Sequence, residues 1–507
     1  MKKQRVFVTG ATGGMGFASL KEMLKDTDKQ DVVILARDSE KNRKLLAPYM
    51  QTKGLLIEWG DLNDYEKVKK CVKDCDIVLH IAAFVSPAAD YYPERAMKVN
   101  YGSTKNIIRA IYELKQQNFT RLVYIGTVAE TGDRMPPIHW GRVGDPVKPS
   151  MFDYYAVSKV AAERLVIESG LKYWVSLRQT GIIGKAMSEI NDAIMFHNCF
   201  DNVLEYCSDR DSARAMKNLC TFYHDGDLPE DFWGHIYNIG GGPSCRIDTY
   251  SMFKVLYGEI GLTKLDYILS PKKQATLNFH GHYYLDGNKL ENYLHFRHDS
   301  MQYYYDCYLE MLGGLRTASR IICKLPGGQK LMGGIMRRKF DKLARTEHGT
   351  LHFIEDNVED HIDAYWGSRA RWEALPEKLS DMKHFADWDK VIPIDHGYDE
   401  DQPESELNYD DMKKAAEFRG GKLLSKTMKR GDWETPLEFK CAFGHRFKAS
   451  PRLVLEGGHW CNECESKSWN YGARAKVDPF FAQVWNPLHG PDEMREYPKI
   501  VSEMDVK

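Results

Sequence analysis

The chain has 507 residues, of which 43% are hydrophobic and 28% are charged, and its formal net charge is −2. This length predicts more than one domain, because single hydrophobic cores rarely grow beyond about 250–300 residues. The near-neutral charge gives no reason to expect a nucleic-acid partner. Neither a signal-peptide pattern nor an apolar run of the roughly 18–20 residues of a membrane span is seen. The eleven cysteines are mostly scattered, so we expect a reducing compartment, the cytoplasm.

Residues 1–185 alternate short apolar runs with amphipathic helices. This alternation predicts an α/β fold, a doubly wound parallel sheet of the Rossmann type. The first apolar run leads into a turn with glycines at 10, 13 and 16 and then into a helix. Gly10 permits the tight turn, Gly13 lets the backbone approach a pyrophosphate, and Gly16 lets helix and strand pack closely. Because helix N-termini bind phosphates, the pattern predicts a dinucleotide site.

The end of the second predicted strand bears on the choice of dinucleotide. An acidic residue there would accept hydrogen bonds from a ribose 2′-hydroxyl and repel a 2′-phosphate. Here Arg37 ends the strand, with Lys41 and Arg43 close behind. Such a group of cations favours NADP. NAD stays an alternative, because an exposed arginine can simply solvate a turn. Asp61, after the third strand, is a candidate for binding the adenine amino group.

A tyrosine and a lysine stand four residues apart in a predicted helix, at Tyr155 and Lys159. Residues at this spacing project from one face of a helix. An ammonium beside a phenol favours the phenolate, so we expect the pKa of Tyr155 to fall from about 10 toward neutrality. Tyr155 could then exchange a substrate's hydroxyl proton while a nicotinamide exchanges a hydride. Thr127, at the end of the fifth predicted strand, would give a further hydrogen bond to the same oxygen.

These motifs together resemble those of the extended short-chain dehydrogenases/reductases, the group of NAD(P)-dependent epimerases, dehydratases and hydroxysteroid-type reductases, over about residues 1–300. The resemblance implies that Thr127, Tyr155 and Lys159 are catalytic and that Lys159 also holds the nicotinamide ribose. It is carried by the glycine loop, by His80 and the small residues after it, and by Arg178 in the strand after the catalytic helix. The cofactor-binding residues that follow are Gly10, Thr12, Gly13, Gly16, Arg37, Asp61, Leu62, Ala82, Asn100, Tyr155 and Lys159.

Two departures from the family pattern weaken a nucleotide-sugar assignment. An asparagine and a Gly-Pro pair usually follow the arginine strand, whereas this chain has Gly181-Ile-Ile-Gly184-Lys185, and Gly126-Thr127 replaces the usual serine pair. Apolar residues between 186 and 220 suggest a pocket for a bulky apolar alcohol or ketone such as a steroid; a helix that packs on the core is the alternative. We therefore expect an NAD(P)-dependent oxidoreductase, with a nucleotide-sugar epimerase or dehydratase and a non-catalytic dinucleotide sensor as the alternatives.

The segment 313–345 holds nine Lys or Arg residues and one acid, Asp341, with apolar residues between them. Such a segment can lie on an anionic membrane surface, which would suit a lipid substrate. The alternatives are a solvated face or packing on acidic neighbours, for which the stretch 391–411, with eight acids and no Lys or Arg, is available. A second copy of this chain, in a homodimer, is a further partner that we consider.

The C-terminal part holds Cys441, His445, Cys461 and Cys464 in Cys-x3-His and Cys-x2-Cys spacing. Three thiolates and an imidazole can form a closed tetrahedral zinc site, and the pattern resembles zinc-ribbon or treble-clef modules over about 435–470. We expect a structural zinc, with His459 as a competing ligand. The expected organisation is a Rossmann core at 1–185, a substrate region at 186–345 from which 236–242 return to the core sheet, a helical and acidic linker at 346–430, the zinc module at 431–475, and a tail at 476–507.

Overall fold

The computed structural model describes residues 2–506 and has a parallel sheet of seven strands at its centre. The strands follow the order β11-β7-β5-β4-β1-β2-β3, and each neighbouring pair is parallel. The fold predicted from the sequence is therefore confirmed as a doubly wound, Rossmann-type sheet. Its strands are β1 (Gln4–Thr9), β2 (Gln30–Ala36), β3 (Leu55–Trp59), β4 (Ile77–His80), β5 (Arg121–Thr127), β7 (Tyr173–Gln179) and β11 (His235–Ile239).

Side chains alternate across this sheet, because successive residues of a strand point to opposite faces. In β5, Leu122 and Tyr124 pack on one face, whereas Val123 and Ile125 pack on the other. Helices α3, α5 and α6 cover the first face, and α1, α8 and α10 cover the second. The helices of residues 2–184 are α1 (Gly14–Met23), α2 (Glu40–Leu46), α3 (Tyr65–Val72), α4 (Ala88–Tyr91), α5 (Pro93–Glu113) and α6 (Tyr154–Ile167).

The middle of the chain adds α8 and α10 to the second face of the sheet, and its other helices pack mainly around a separate apolar cluster. Its helices are α7 (Lys185–Ser188), α8 (Asp209–Asp225), α9 (Thr249–Glu259), α10 (Asn288–Leu294), α11 (Met301–Leu312), α12 (Gly314–Lys324) and α13 (Gly328–Ala344). Two short strands precede this part of the chain, β6 (Trp140–Gly141) and β8 (Ile182–Ile183). The short strands within it are β9 (Val203–Glu205), β10 (Cys207–Ser208), β12 (Arg246–Asp248) and β13 (Tyr283–Tyr284).

The C-terminal part packs directly on the sheet and on α6. Phe439 and Trp460 share one apolar cluster with Ala162 and Val166 of α6, and Trp469 packs with Tyr154 at the start of that helix. This cover explains why most of α6 is buried. The elements of this part are α14 (Thr350–Glu355), α15 (Glu359–Trp366), α16 (Arg369–Glu373), α17 (Tyr409–Phe418), β14 (Lys422–Leu423), β15 (Leu437–Lys440), β16 (Arg446–Ala449), α18 (Asn462–Lys467), β17 (Ser468–Trp469), α19 (Tyr471–Val477), α20 (Pro479–Trp485) and β18 (Tyr497–Pro498).

Within residues 2–506, no helix combines the length and the apolar character needed to cross a membrane.

Candidate active site and candidate metal centre

The glycine loop joins β1 to α1, and its three glycines serve different purposes. Gly10 has φ +72°, and a Cβ atom on it would lie 2.8 Å from the backbone of Ala82. A Cβ on Gly16 would lie 2.1 Å from the carbonyl oxygen of Gly10. Gly13 precedes α1 in an extended conformation, and a Cβ there would meet only the Gly10 oxygen, at 3.4 Å.

The protein's own packing thus requires glycine at positions 10 and 16 but leaves room for a side chain at Gly13. No side chain caps the N-terminus of α1 at this point. A pyrophosphate on the N-terminus of α1 would need that open space and those backbone N–H groups. The loop therefore fits a dinucleotide, and Thr12 lies within it, partly buried.

His80 is the last residue of β4 and links β4 to β1, the strand before the glycine loop. Its Nδ1 lies 2.9 Å from the Thr9 hydroxyl and its Nε2 lies 2.9 Å from the Thr104 hydroxyl. Thr9 in turn accepts a hydrogen bond of 3.0 Å from the Ala82 N–H. Burial, with a smaller effect of the Lys159 charge, lowers the pKa of His80 to about 3. His80 is thus a neutral, packed residue that shapes the edge of the cofactor site.

Asn100, in α5, connects the chain after β4 to the helix that carries the tyrosine. Its side-chain amide accepts a hydrogen bond from the Phe84 N–H at 2.7 Å and donates to the Phe84 carbonyl at 3.0 Å. It also donates to the Ser158 hydroxyl at 2.8 Å, and Ser158 donates to the Tyr155 carbonyl at 2.7 Å. Asn100 thereby holds the predicted cofactor edge and the start of α6 in one arrangement.

Of the three cations predicted to lie near the adenosine, one is already paired with a carboxylate. Arg43 forms an ion pair of 2.6 Å with Asp38 and stacks 4.6 Å above the Trp59 ring. Arg37 and Lys41 are exposed, and within residues 2–506 neither has a carboxylate at ion-pair distance. Arg37 is therefore the cation best placed to meet a 2′-phosphate.

Two further predicted cofactor residues, Asp61 and Leu62, follow β3. Asp61 is exposed, and one of its carboxylate oxygens accepts hydrogen bonds from the backbone and side chain of Asn63 at 2.9 and 2.8 Å. Leu62 packs against the core, and its carbonyl accepts a hydrogen bond of 3.1 Å from Asn106. Asp61 thus keeps one oxygen for an adenine, whereas Leu62 supports the turn.

Thr127 and Tyr155 come together at the carboxyl edge of the sheet. Thr127 is the last residue of β5, and Tyr155 lies in the first turn of α6, which Asp153 caps by accepting the Ala156 N–H at 2.7 Å. Burial raises the pKa of Tyr155 above its ordinary value, and a hydrogen bond with Thr127 opposes this only in part. This result differs from the predicted fall of the Tyr155 pKa.

The position of Lys159 explains the difference. Its ammonium donates a hydrogen bond of 2.6 Å to the Ile125 carbonyl and lies 4.1 Å from the centre of the Tyr124 ring. Burial lowers the pKa of Lys159 to about 8. Although Lys159 stands one helical turn from Tyr155, its charge is directed to β5 rather than to the phenol.

A buried charge network, which the sequence did not reveal, lies behind these residues. Arg178 forms ion pairs with Glu163 at 2.6 Å and with Glu130 at 3.1 Å, and Glu130 accepts the Thr127 N–H at 3.0 Å. His459 completes it, with Nε2 3.1 Å from Glu163. Burial favours the neutral form of Glu163, yet Arg178 and His459 hold its pKa well below the usual range. The network therefore runs from the C-terminal part to the backbone of Thr127.

A cavity of about 80 Å³ lies beside the start of α6. Asp90 lines it and accepts a hydrogen bond of 3.0 Å from the Tyr155 N–H. Burial and repulsion from Asp153 raise the pKa of Asp90 to about 8. Among the predicted apolar residues, Ile194 lines this cavity, whereas Ile190 is exposed. The other titratable residues of its lining are Tyr91, Asp153, His197, His280, His348, His361 and Tyr365.

The four predicted metal ligands converge in the C-terminal part. Their ligand atoms all lie within 4.8 Å of one another, and all three cysteines are free thiols. Cys441 Sγ is 3.8 Å from Cys464 Sγ, and His445 Nδ1 is 3.3 Å from Cys464 Sγ and 3.6 Å from Cys461 Sγ. A tetrahedral zinc with Zn–S bonds of about 2.3 Å places its sulfurs about 3.8 Å apart, so the donor set fits this metal.

Two short local structures bring these ligands together. The β15–β16 hairpin carries Cys441 and His445 on either side of a turn in which Gly444 has φ +93°. Cys461 precedes α18, and Cys464 lies in its first turn. His459, the competing ligand considered from the sequence, points away from this group toward Glu163.

Comparisons with known proteins find similarity in the first part of the chain. Residues 6–204 match the NAD dependent epimerase/dehydratase family. The chain is 29% identical over 274 residues to the 3 beta-hydroxysteroid dehydrogenase/Delta 5→4-isomerase of vaccinia virus (strain Ankara), which covers 48% of this chain and 74% of that protein. It is 30% identical over 112 residues to a UDP-N-acetylglucosamine 4,6-dehydratase (inverting) of Campylobacter jejuni, which covers 22% of this chain and 33% of that protein.

Among solved structures, a dTDP-glucose 4,6-dehydratase from Streptomyces venezuelae with NAD bound aligns with a TM-score of 0.48 and 19% identity, over 61% of this chain and 98% of that chain. The family match covers the glycine loop, Thr127, Tyr155 and Lys159. Residues 6–204 are therefore similar to the NAD dependent epimerase/dehydratase family.

Proposed function

We propose that this protein is an NAD(P)-dependent oxidoreductase that interconverts a secondary alcohol and a ketone. One observation carries this proposal: Thr127, at the end of β5, and Tyr155, in the first turn of α6, lie at the same edge of the sheet as the glycine loop, with Lys159 one helical turn from Tyr155. A sensor that only binds a dinucleotide would need none of these three side chains.

The residues that would hold the cofactor are those of the carboxyl edge. The N-terminus of α1 and the open space at Gly13 would accept the pyrophosphate, and Arg37 would meet a 2′-phosphate, which favours NADP over NAD. When bound, the nicotinamide supplies or accepts the hydride at the substrate carbon.

The side chains of this protein would handle the proton. In the reductive direction, the Tyr155 hydroxyl donates its proton to the carbonyl oxygen as that oxygen gains charge, and Thr127 donates a hydrogen bond to the same atom. The resulting phenolate would be stabilised by Lys159 if its ammonium leaves the Ile125 carbonyl and turns toward the phenol. Thr127 is in turn positioned by Glu130, which accepts its backbone N–H.

For the substrate, the polar part of the cavity lining supports a second candidate beside the apolar one expected from the sequence. Four imidazoles and the carboxyls of Asp90 and Asp153 surround about 80 Å³. Burial lowers the pKa of both His197 and His361 to about 4, so these rings are neutral donors and acceptors at pH 7. Since Phe152, Phe279 and Phe353 also line the cavity, its polar groups can bind a hydroxylated group without excluding an apolar substrate. We propose a sugar-nucleotide epimerase or dehydratase as the second candidate.

Turnover of reduced and oxidised nicotinamide, followed by absorbance, tests the proposal on hydroxysteroids, other ketones and sugar nucleotides. Because an epimerase or a dehydratase returns the hydride to its own substrate, product analysis accompanies the sugar-nucleotide assays. Tyr155→Phe should lower turnover by about 10²–10⁴-fold, since it removes the proton donor. Tyr154→Phe is the matched control, because its hydroxyl lies only near the Ile500 N–H, at 3.4 Å, and it should retain turnover. Equal rates for Tyr155→Phe and the wild type, or no turnover of any substrate, would refute the proposal.

We further propose that Cys441, His445, Cys461 and Cys464 bind one structural zinc. All four positions of a tetrahedron would be filled by protein, which leaves no open position for catalysis. The metal would join the β15–β16 hairpin to α18, two elements whose neighbours Phe439 and Trp460 pack on the face of α6.

A further inference from the structure

Helices α12 and α13 form a hairpin that is anchored on its inner side. Ser319 of α12 donates a hydrogen bond of 2.7 Å to the Ile260 carbonyl, and Cys323 is buried beside it. Phe340 of α13 packs edge-on against Phe196, with ring centres 5.9 Å apart. The hairpin is therefore a fixed part of the molecule whose other side faces outward.

The outward side carries large apolar residues in unusual concentration. Leu315, Ile321, Leu325, Leu331 and Ile335 have 71%, 59%, 59%, 60% and 53% of their surface exposed. Single exposed apolar side chains are common, but a group of five within 21 residues is typical of a binding surface. Leu325 lies in the turn between the helices and Leu331 lies in the first turn of α13, so these two residues are at the tip of the hairpin.

Basic residues flank this apolar group. On α12, Arg316, Arg320 and Lys324 follow one another at intervals of four and so share one side of the helix. Arg316 and Arg320 pair with Glu259, at 2.6 and 3.9 Å. Within the part of the chain that the structure describes, six cations of the hairpin have no carboxylate at ion-pair distance. They are Lys324, Lys330, Arg337, Arg338, Lys339 and Lys342.

The acid of the hairpin and two acids of the stretch 391–411 form ion pairs with other segments. Asp341, the acid of the hairpin, pairs with Lys273. In the stretch 391–411, Glu400 pairs with Arg142 at 2.6 Å and Glu404 pairs with Arg452 at 3.2 Å. The hairpin thus presents a positive, apolar surface that these acids do not neutralise.

We propose that the α12–α13 hairpin docks on the surface of a bilayer that contains anionic lipid. Leu325 and Leu331 at the tip enter the boundary between headgroups and acyl chains, and Lys324 and Lys330 beside them contact the anionic headgroups. The contact is peripheral: α12 has 11 residues and α13 has 17, and neither is long and apolar enough to span a bilayer. This surface lies outside the proposed catalytic machinery, so it stands or falls independently of the proposed reaction.

Co-sedimentation of the full chain with vesicles tests the proposal. The wild type should bind vesicles that contain phosphatidylserine at least about tenfold more tightly than vesicles of phosphatidylcholine alone, because anionic headgroups attract the unpaired cations. The double variant L325D/L331D and the double variant K324E/K330E should each lose about tenfold or more of this affinity. Leu56→Asp is the matched control, since Leu56 is 51% exposed on β3, outside the hairpin, and it should bind as the wild type does.

Dinucleotide binding by each variant confirms that it is folded. Failure of the wild type to bind either vesicle, or equal binding by L325D/L331D, would overturn the proposal. Sedimentation velocity adds one more outcome: if the wild type is a dimer that L325D/L331D dissociates, the apolar surface belongs to a second copy of this chain, and the proposal is wrong. Turnover in solution would remain as proposed in either case.

Discussion

The two predicted sites of this protein differ in how completely the chain assembles them. In the C-terminal part, four ligand atoms lie within 4.8 Å of one another, at separations that match a tetrahedral metal site. In the Rossmann core, Thr127 and Tyr155 meet, but the ammonium of Lys159 binds the Ile125 carbonyl. The protein alone thus brings the predicted metal ligands together, whereas it arranges the predicted catalytic residues only in part.

The difference follows from how far apart the contributing elements lie. Cys441 and His445 are four residues apart on one hairpin, and Cys461 and Cys464 are three apart at the start of one helix, so local turns set both pairs. Thr127 comes from a strand and Lys159 from a helix 32 residues later in the sequence. A long, flexible lysine side chain can then hydrogen-bond to a nearby carbonyl instead of the phenol. For the Lys159 ammonium to leave that carbonyl, a bound ligand must provide a stronger hydrogen-bond partner.

The two sites are nevertheless physically connected. His459, two residues before Cys461, contacts Glu163 of the catalytic helix, and Arg178 joins Glu163 to Glu130, whose carboxylate holds the Thr127 N–H. Removing one member of such a buried ion network typically costs about 3–5 kcal/mol. Changes in the metal module are therefore expected to affect the core.

The largest predicted effect comes from removing two metal ligands. The double variant C461S/C464S should lose stoichiometric zinc and at least about 3 kcal/mol of unfolding free energy, because binding free energy of a structural zinc is folding free energy. Metal analysis and chemical denaturation measure the two effects. His459→Gln is the control and should keep its zinc, since His459 points toward Glu163. Zinc retained by the double variant, or lost equally by His459→Gln, would contradict the proposed metal site.

A smaller effect is expected at Asp90, beside the catalytic helix. Its pKa in the folded protein is raised to about 8, so between about pH 4 and pH 8 the folded state binds a proton that the unfolded state has lost. Asp90 therefore contributes stability at low pH that disappears as the pH rises through 8. Asp90→Asn should become progressively more stable than the wild type from pH 5 to pH 8, by up to about 1 kcal/mol per pH unit.

Thermal or chemical unfolding at several pH values measures this difference. The control is Asp401→Asn at an exposed position, which should show no pH-dependent gain. A constant difference between Asp90→Asn and the wild type from pH 5 to pH 8 would contradict the described environment of Asp90.

The smallest predicted effect concerns cofactor choice. Arg37→Ala should weaken binding of NADP by about tenfold, or roughly 1.4 kcal/mol, and leave NAD nearly unchanged, because only NADP carries the 2′-phosphate. Fluorescence titration with both reduced dinucleotides measures the two affinities. Arg43→Ala is the matched control, since Arg43 is already paired with Asp38. An equal loss for both dinucleotides would show that Arg37 does not recognise the phosphate.

Much of the fold could be predicted from the sequence, because its signals are local. The sequence predicted a third strand before Asp61 and a fifth strand that ends at Thr127, and the structure has β3 at Leu55–Trp59 and β5 at Arg121–Thr127. The glycine loop and the spacing of Tyr155 and Lys159 likewise sit on the predicted turn and helix. Each of these features depends on residues within one element or its immediate neighbour.

What escaped prediction depends on contacts between distant segments. Nothing in the periodicity of α6 shows that Phe439 and Trp460 would pack on it, almost 300 residues later. The partners of Glu163, namely Arg178 and His459, come from a neighbouring strand and from the C-terminal part. The direction of the Lys159 side chain is a choice between nearby acceptors, which sequence spacing does not determine.

The most direct test of the central claim is dinucleotide binding at the glycine loop. NADPH and NADH are titrated into the wild type, Gly13→Val and the control Gly258→Ala, whose added Cβ would meet nothing within 4 Å in α9. The account predicts saturable binding by the wild type and the control. For Gly13→Val it predicts a loss of at least about tenfold, with an unfolding midpoint within about 3 °C of the wild type, because the protein itself leaves room at Gly13. Absence of binding by the wild type, or unchanged affinity in a folded Gly13→Val variant, would contradict it.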